Sequence, residues 1–188
     1  MLLSSAYFPP TEYFAVLARY SVRIDTEENY VKQTYRNRCR ILTSNGVEDL
    51  RVPIVHDGRR KITEVRVDYT TDWVRRTKYA IETAYYSSPF FEYYRDELFA
   101  ILDSHPETLW ELNSRITDFF CRKIGIVVQP GSGDGEDLRN VIHPKKAPYL
   151  QTREYWQVFR DKYGFVGNLS VMDLLFNEGP ASLDYLLK

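Results

Sequence analysis

The chain has 188 residues, 44% hydrophobic and 27% charged, and its 25 Lys+Arg against 26 Asp+Glu give a formal net charge of −1. A chain of this length and balance can bury its own core, and two cysteines, Cys39 and Cys121, are too few for a disulfide scaffold and lack the CxxC pairing of a zinc site. No apolar run reaches the ~18–20 residues of a membrane span, and the opening MLLSSAYFPPTEYF lacks the features of a signal peptide, so a cytoplasmic protein without metal is expected.

In chain order, Thr11 after Pro9-Pro10 can cap a short helix that ends around Tyr20, and residues 22–25 read as a short strand. Residues 38–42 and 50–55 flank the turn Ser44-Asn45-Gly46-Val47, and Asn-Gly between two alternating runs is a strong hairpin signal. A loop of Asn45-Gly46 would set Cys39 opposite Val52, Ile41 opposite Leu50 and Arg40 opposite Arg51. Residues 62–69 alternate again and predict a third strand.

The period then becomes helical. Asp72 caps a helix whose Trp73, Thr77, Ala80, Ile81, Ala84 and Tyr85 share a face, and Pro89 ends it. A second helix covers 91–102, and a third starts around Pro106 and stops at Gly125. A β-like run at 126–129 leads into the glycine-rich loop 130–135, whose spacing fits neither GxGxxG nor a P-loop and predicts a surface loop. A helix at 153–162 follows. Ser170 and Asp173 have capping-box spacing before the next helix, and Pro180 opens the last, 181–187. The expectation is one α+β domain over 1–188: a small, mainly antiparallel or mixed sheet in the first third, packed against several helices.

Near-neutrality hides an asymmetry. Residues 32–61 hold eight basic and three acidic residues (net +5), and 82–118 hold eight acidic and two basic (net −6). So compact a basic region suits a small anion or an acidic partner better than nucleic acid. On the hairpin, one face gathers Cys39, Ile41, Leu50 and Val52, and the other Arg38, Arg40 and Arg51. Like charges directly opposite one another in a sheet are destabilising unless something neutralises them. A phosphate or carboxylate ligand is one solution, since guanidinium forks match both; Glu64, Asp68 or the acidic helices are the other. Cys39 beside arginines also admits a nucleophile reading with His56 or His143 as base, against plain core filling. His143, in a polar connection before Pro144, suits general acid/base work.

Several segments together resemble the WbqC-like family of bacterial proteins: AYFPPTEYFAVLA, SVRIDTEENYVKQTYRNRCRI, LRVPIV, DYTTDW, AYYSSPFFEYY and the terminal NLSVMDLLFNEGPASLDYL, with SPFFEYY and LLFNEG most like members from the Bacteroidetes. The resemblance implies an association with lipopolysaccharide O-antigen and other surface-glycan gene sets. Carried over by motif, its polar signature positions are Asp25, Lys32, Arg36, Asn37, Arg38, Asp68 and Trp73; Thr77 stands where many members carry a histidine. The expected function is a cytoplasmic group-transfer enzyme of glycan biosynthesis acting on a nucleotide-linked sugar, with no cofactor assigned. Lys32, Arg36, Asn37, Arg38, Trp73 and Tyr7 would bind substrate, and Asp25, Asp68 or His143 would serve as acid/base. The competing expectation is a non-catalytic assembly protein, with 32–61 docked on 82–118 of a second copy in a homodimer.

Overall fold

The computed structural model describes residues 1–132 and 134–188. Gly133, inside the loop read as 130–135, lies outside the described residues. The elements in chain order are β1 (Leu2–Leu3), α1 (Thr11–Arg19), β2 (Ser21–Ile24), β3 (Arg38–Thr43), β4 (Gly46–Arg51), α2 (Trp73–Tyr85), α3 (Phe91–Asp103), α4 (Leu109–Ile124), β5 (Gln129–Pro130), α5 (Arg160–Tyr163), α6 (Val171–Glu178) and α7 (Ser182–Leu187), with a 3-10 turn Gly179–Ala181 before α7. The architecture is mixed α+β with two small sheets. Among the described residues no helix is long and apolar enough to cross a membrane.

One sheet is parallel, in the order β1-β2-β5, with α1 crossing over between its first two strands. Two-residue strands have too little length for alternation, so β1 left no trace in the sequence pattern. Gly131 follows β5 at van der Waals contact with β2: its N–H donates to the Val22 carbonyl at 3.0 Å, and a Cβ there would meet the Ser21 backbone at 3.0 Å. That glycine serves the close approach of two backbones.

The second sheet is the β3–β4 hairpin, paired Arg38↔Arg51, Cys39↔Leu50, Arg40↔Asp49 and Thr43↔Gly46. Its two-residue loop is therefore Ser44-Asn45, and the expected pairing is corrected by two residues. The cause is Thr43, whose hydroxyl accepts the Asn45 N–H at 3.1 Å and lies 3.0 Å from the Gly46 carbonyl, closing the turn one residue early. A shift of two preserves the faces, because side chains alternate with period two. Cys39, Ile41, Leu50 and Val52 do share the buried side.

The third strand at 62–69 is not formed. Its backbone is split between two neighbours: Val55 and Asp68 N–H groups bond to Arg66 and Pro53 carbonyls, while Leu109 N–H bonds to Val65 and Val67 N–H to Glu107. Single bridges on each side replace a ladder. The helix expected at 153–162 shrinks to Arg160–Tyr163, because Gln157 turns inward and its carboxamide pairs with both backbone groups of Val166 at 2.9 Å. Asp173 likewise does not complete a capping box with Ser170; its carboxylate accepts from the Tyr155 hydroxyl and the Gln157 amide. The C-terminal helices dock back on the first third through Thr11 N–H to Leu169, Val171 N–H to Pro9 and Ser170 N–H to Arg40.

The core runs through α1, α4 and α6. Phe8, Phe14 and Phe119 pack edge-on around Phe120, and Tyr85 and Phe91 around Phe176. Helix α4 opens on Thr108, whose hydroxyl accepts the Glu111 N–H at 3.2 Å, two residues later than the Pro106 start. It stops at Gly125, at φ +84, with the Gly125 and Ile126 N–H groups both bonded to Cys121. A Cβ at Gly125 would meet nothing within 4 Å, so Gly125→Ala is expected to lose only the left-handed conformational preference, about 1 kcal/mol, read as a lower urea midpoint with an unchanged slope.

Candidate functional site

A cleft of about 830 Å³ opens between the hairpin and the first half of α2. Its walls come from the turn before β3 (Tyr30, Lys32, Gln33, Asn37), the strands (Arg38, Asp49, Arg51), the segment between β4 and α2 (His56, Asp68) and α2 (Trp73, Arg76, Thr77). Four cations, Lys32, Arg38, Arg51 and Arg76, face two carboxylates, Asp49 and Asp68.

The hairpin delivers Arg38 and Arg51 to one spot, because they are directly opposed across the strands. Asp49 lies between them and its Oδ2 accepts from Arg38 Nη1 and Arg51 Nη2, each at 3.3 Å. This is the neutraliser that the like-charge argument requires, and it comes from β4 itself, in place of Glu64, Asp68 or the acidic helices. Arg38 Nε is buried without a hydrogen-bond partner among the described residues. Among the described residues the Arg76 side chain, one turn after Trp73, makes only a long contact to the Asp72 carbonyl, at 3.4 Å.

Asn37 is tied down across the hairpin, donating Nδ2 to the Val52 carbonyl at 2.9 Å while its own carbonyl accepts the Val52 N–H at 2.9 Å. Asp68 Oδ1 accepts the Thr70 N–H at 2.8 Å, and the Thr70 bonds and nearby His56 hold its carboxyl below the ordinary aspartate value. Trp73 is only 4% exposed, stacks on Tyr69 at 5.7 Å and forms floor, with its indole N–H unpartnered among the described residues. Tyr30, half-buried, is the more accessible ring.

The cleft thus collects Lys32, Asn37, Arg38, Asp68 and Trp73 of the residues singled out in the sequence. It does not collect the other four. Arg36 is 3% exposed and ion-paired at 2.5 Å with Glu28, also buried. Asp25 is 4% exposed and accepts from Arg139 Nη1 at 2.5 Å, which places it in a clamp on residues 137–139. Tyr7 is wholly buried beneath the cleft, next to Thr77 and Cys39, and burial drives its hydroxyl far above the ordinary value. A ligand in the cleft reaches none of these three as they stand. His143 sits on the neighbouring loop, where burial and then Lys146, Lys145, Arg36 and Arg38 lower its pKa. Its Nδ1 accepts the Lys145 N–H at 3.1 Å, which leaves the neutral ring's proton on Nε2.

Cys39 is fully buried, and burial followed by Asp49 pushes its thiol well up, the opposite of what an activated nucleophile needs. That removes the nucleophile reading. Among the described residues no group of three or more His, Cys, Asp or Glu side chains could hold a metal. Tyr30, Gln33, Asp49 and Arg76 are cleft residues that the sequence pattern does not single out, and His56, offered there only as a base for Cys39, lines the cleft as well. Arg76 had a usable signal, since it stands three residues after Trp73, one helical turn along.

Fold and site together define a mixed α+β protein with an open, cation-rich cleft walled by a hairpin and a helix. The chain belongs to the WbqC-like protein family, whose model matches residues 4–132 and so spans every residue of the cleft. It is similar to the uncharacterized protein Rv1507c of Mycobacterium tuberculosis (strain ATCC 25618 / H37Rv), with 29% identity over 222 residues, 98% of this chain and 96% of the relative. No solved structure matches.

Proposed function

We propose that the cleft binds an anionic, nucleotide-linked sugar and that the protein is a cytoplasmic enzyme of lipopolysaccharide O-antigen or other surface-glycan biosynthesis. The observation that carries this is the convergence of Lys32, Arg38, Arg51 and Arg76 in one open cleft beside Tyr30 and Trp73. Guanidinium forks suit phosphate oxygens, and an accessible tyrosine suits a base or sugar ring. Family membership supports the glycan context through the gene sets with which WbqC-like proteins are associated. In this reading Asn37 orients the ligand, and Asp68, kept ionised and hydrogen-bonded on one oxygen, offers the other as a proton acceptor.

The test is calorimetric titration with a panel of nucleoside diphosphate sugars. Arg38→Ala and Arg76→Ala are each expected to weaken binding about tenfold or more, the worth of a lost charge-assisted hydrogen bond, with melting curves close to wild type. Folded variants that bind as tightly as the parent would sink the proposal. An electrostatic homodimer has less to recommend it, because much of each charged half is paired within the chain. Glu28, Asp49 and Asp57 take Arg36, Arg38, Arg51 and Arg59, while Lys78, Arg95 and Arg122 take Asp103, Asp96 and Glu97.

A further inference from the structure

We infer that Asp49 is the residue that sets which anions the cleft accepts, acting as a built-in anion that a diphosphate can displace and an orthophosphate competes with poorly. This rests on the proposed anion-binding role of the cleft and assigns selectivity within it. Asp49 occupies the place where a ligand oxygen would bridge Arg38 and Arg51, two residues opposed across the hairpin that need a negative charge between them. Its hold is weak in geometry. One oxygen serves both guanidinium groups at 3.3 Å, neither contact is bidentate, and Asp49 is exposed to water.

Fork-to-fork contacts to two oxygens are shorter and stronger than such a shared single contact. A phosphoryl group presents three oxygens and can engage each arginine separately through the terminal nitrogens that now share Asp49, Nη1 of Arg38 and Nη2 of Arg51. Orthophosphate would merely exchange one anion for another at this spot, gaining little. A diphosphate places one phosphoryl group between Arg38 and Arg51 and still has a second for Lys32 or Arg76, which line the same cleft and have no carboxylate within ion-pair distance among the described residues. The charges agree with this. Four cations and the carboxylates of Asp49 and Asp68 leave the lining at +2, and neutralising Asp49 raises it to +3.

The experiment is calorimetric titration of wild type and Asp49→Asn with orthophosphate, pyrophosphate and uridine diphosphate at low ionic strength. Wild type is expected to prefer pyrophosphate to orthophosphate by about tenfold, and Asp49→Asn to tighten orthophosphate by about fivefold and pyrophosphate by less, narrowing the preference. An Asp49→Asn protein whose two affinities stay within about twofold of wild type, or fall, overturns the inference and leaves the anion-binding proposal standing. Binding by the variant alone supports it in stronger form. If neither protein binds any diphosphate at millimolar concentration, the anion-binding proposal itself fails and the inference with it. Should Asp49→Asn fold poorly because Arg38 and Arg51 are left opposed, Arg51→Gln compared with Arg51→Gln/Asp49→Asn carries the same test without a like-charge pair. Orthophosphate must then bind more tightly to the double variant, and equal binding refutes the role of Asp49.

Discussion

Arg36→Ala is expected to destabilise the protein by about 3–5 kcal/mol, the range for removing one partner of a buried ion pair and stranding the other. Glu28 and Arg36 are both nearly inaccessible, at 6% and 3% exposed. Around them, Arg36 donates to Ser4 Oγ at 2.7 Å and Thr34 Oγ1 at 3.2 Å, Glu28 accepts the Ser5 N–H at 3.1 Å, and Asn113 of α4 holds the Arg36 carbonyl at 2.9 Å. One cluster therefore joins the segment after β1, the turn before β3 and a core helix. Without the guanidinium, a carboxylate is left in the interior with only neutral donors. Replacing both members by apolar residues of similar volume, Glu28→Leu with Arg36→Met, is expected to recover more than half the loss, because no charge then remains to be solvated. Urea unfolding of the two singles and the double measures this directly, and a single Arg36→Ala within about 1 kcal/mol of wild type would refute it. The result also bears on function. Arg36 lies between Thr34 and Asn37 in the chain segment that shapes one cleft wall, so any loss of ligand binding in its variant follows from a loosened wall, whereas Arg38→Ala should lose binding with the fold intact.

The contrast between Arg36 and Arg38 shows what the sequence could and could not display. The family motif carries both over as substrate ligands, and nothing in the motif separates one from the other. The strand begins only at Arg38, and the preceding residues form turns that include Gln33 at φ +62, so the period of two does not extend back to Arg36. The hairpin faces were legible for the complementary reason: alternation survives a register error of two, and only the pairing, fixed by the Thr43 hydroxyl, was lost. Arg38 and Trp73 are legible because a strand and a helix start place them locally, whereas Lys32, Asn37 and Asp68 lie outside regular elements and are reached only through the family motif. Asp25 with Arg139, 114 residues apart, and Glu28 with the segment after β1 are pairings that only packing creates. Gln157 and Asp173 misled for a related reason, since each sits in a good local helix signal yet spends its side chain on a distant partner.

Asp173 supplies the second large effect, a pH dependence of stability opposite to that of ordinary ion-paired carboxylates. Its carboxylate is 2% exposed on α6 and accepts from the Tyr155 hydroxyl at 2.8 Å and the Gln157 amide at 2.7 Å. The buried Tyr85 hydroxyl faces it as well, and no cation forms an ion pair with it among the described residues. Burial without a positive partner raises its pKa from 3.8 to about 6, with the hydrogen bonds only partly opposing the rise. Between those values the folded protein binds a proton that the unfolded chain has released, so stability falls as the pH rises from about 4 to about 6 and stays lowered above it, by roughly 3 kcal/mol. His143, with its lowered pKa, works the other way over part of this window, and Asp137, held at about 2 by Arg139, matters only in stronger acid. The difference between wild type and Asp173→Asn isolates the carboxylate. Asparagine keeps an oxygen for Tyr155 and Gln157 and cannot ionise, so urea midpoints measured from pH 4.5 to 7.5 are expected to fall with pH more steeply in wild type than in the variant, leaving the variant relatively favoured at neutral pH. Asp173→Ala removes the acceptor altogether and should destabilise at every pH in the range, by about 2 kcal/mol or more at the acid end, because two buried donors lose their partner. Parallel wild-type and Asp173→Asn curves would show that the carboxyl titrates in the fold as it does in the open chain.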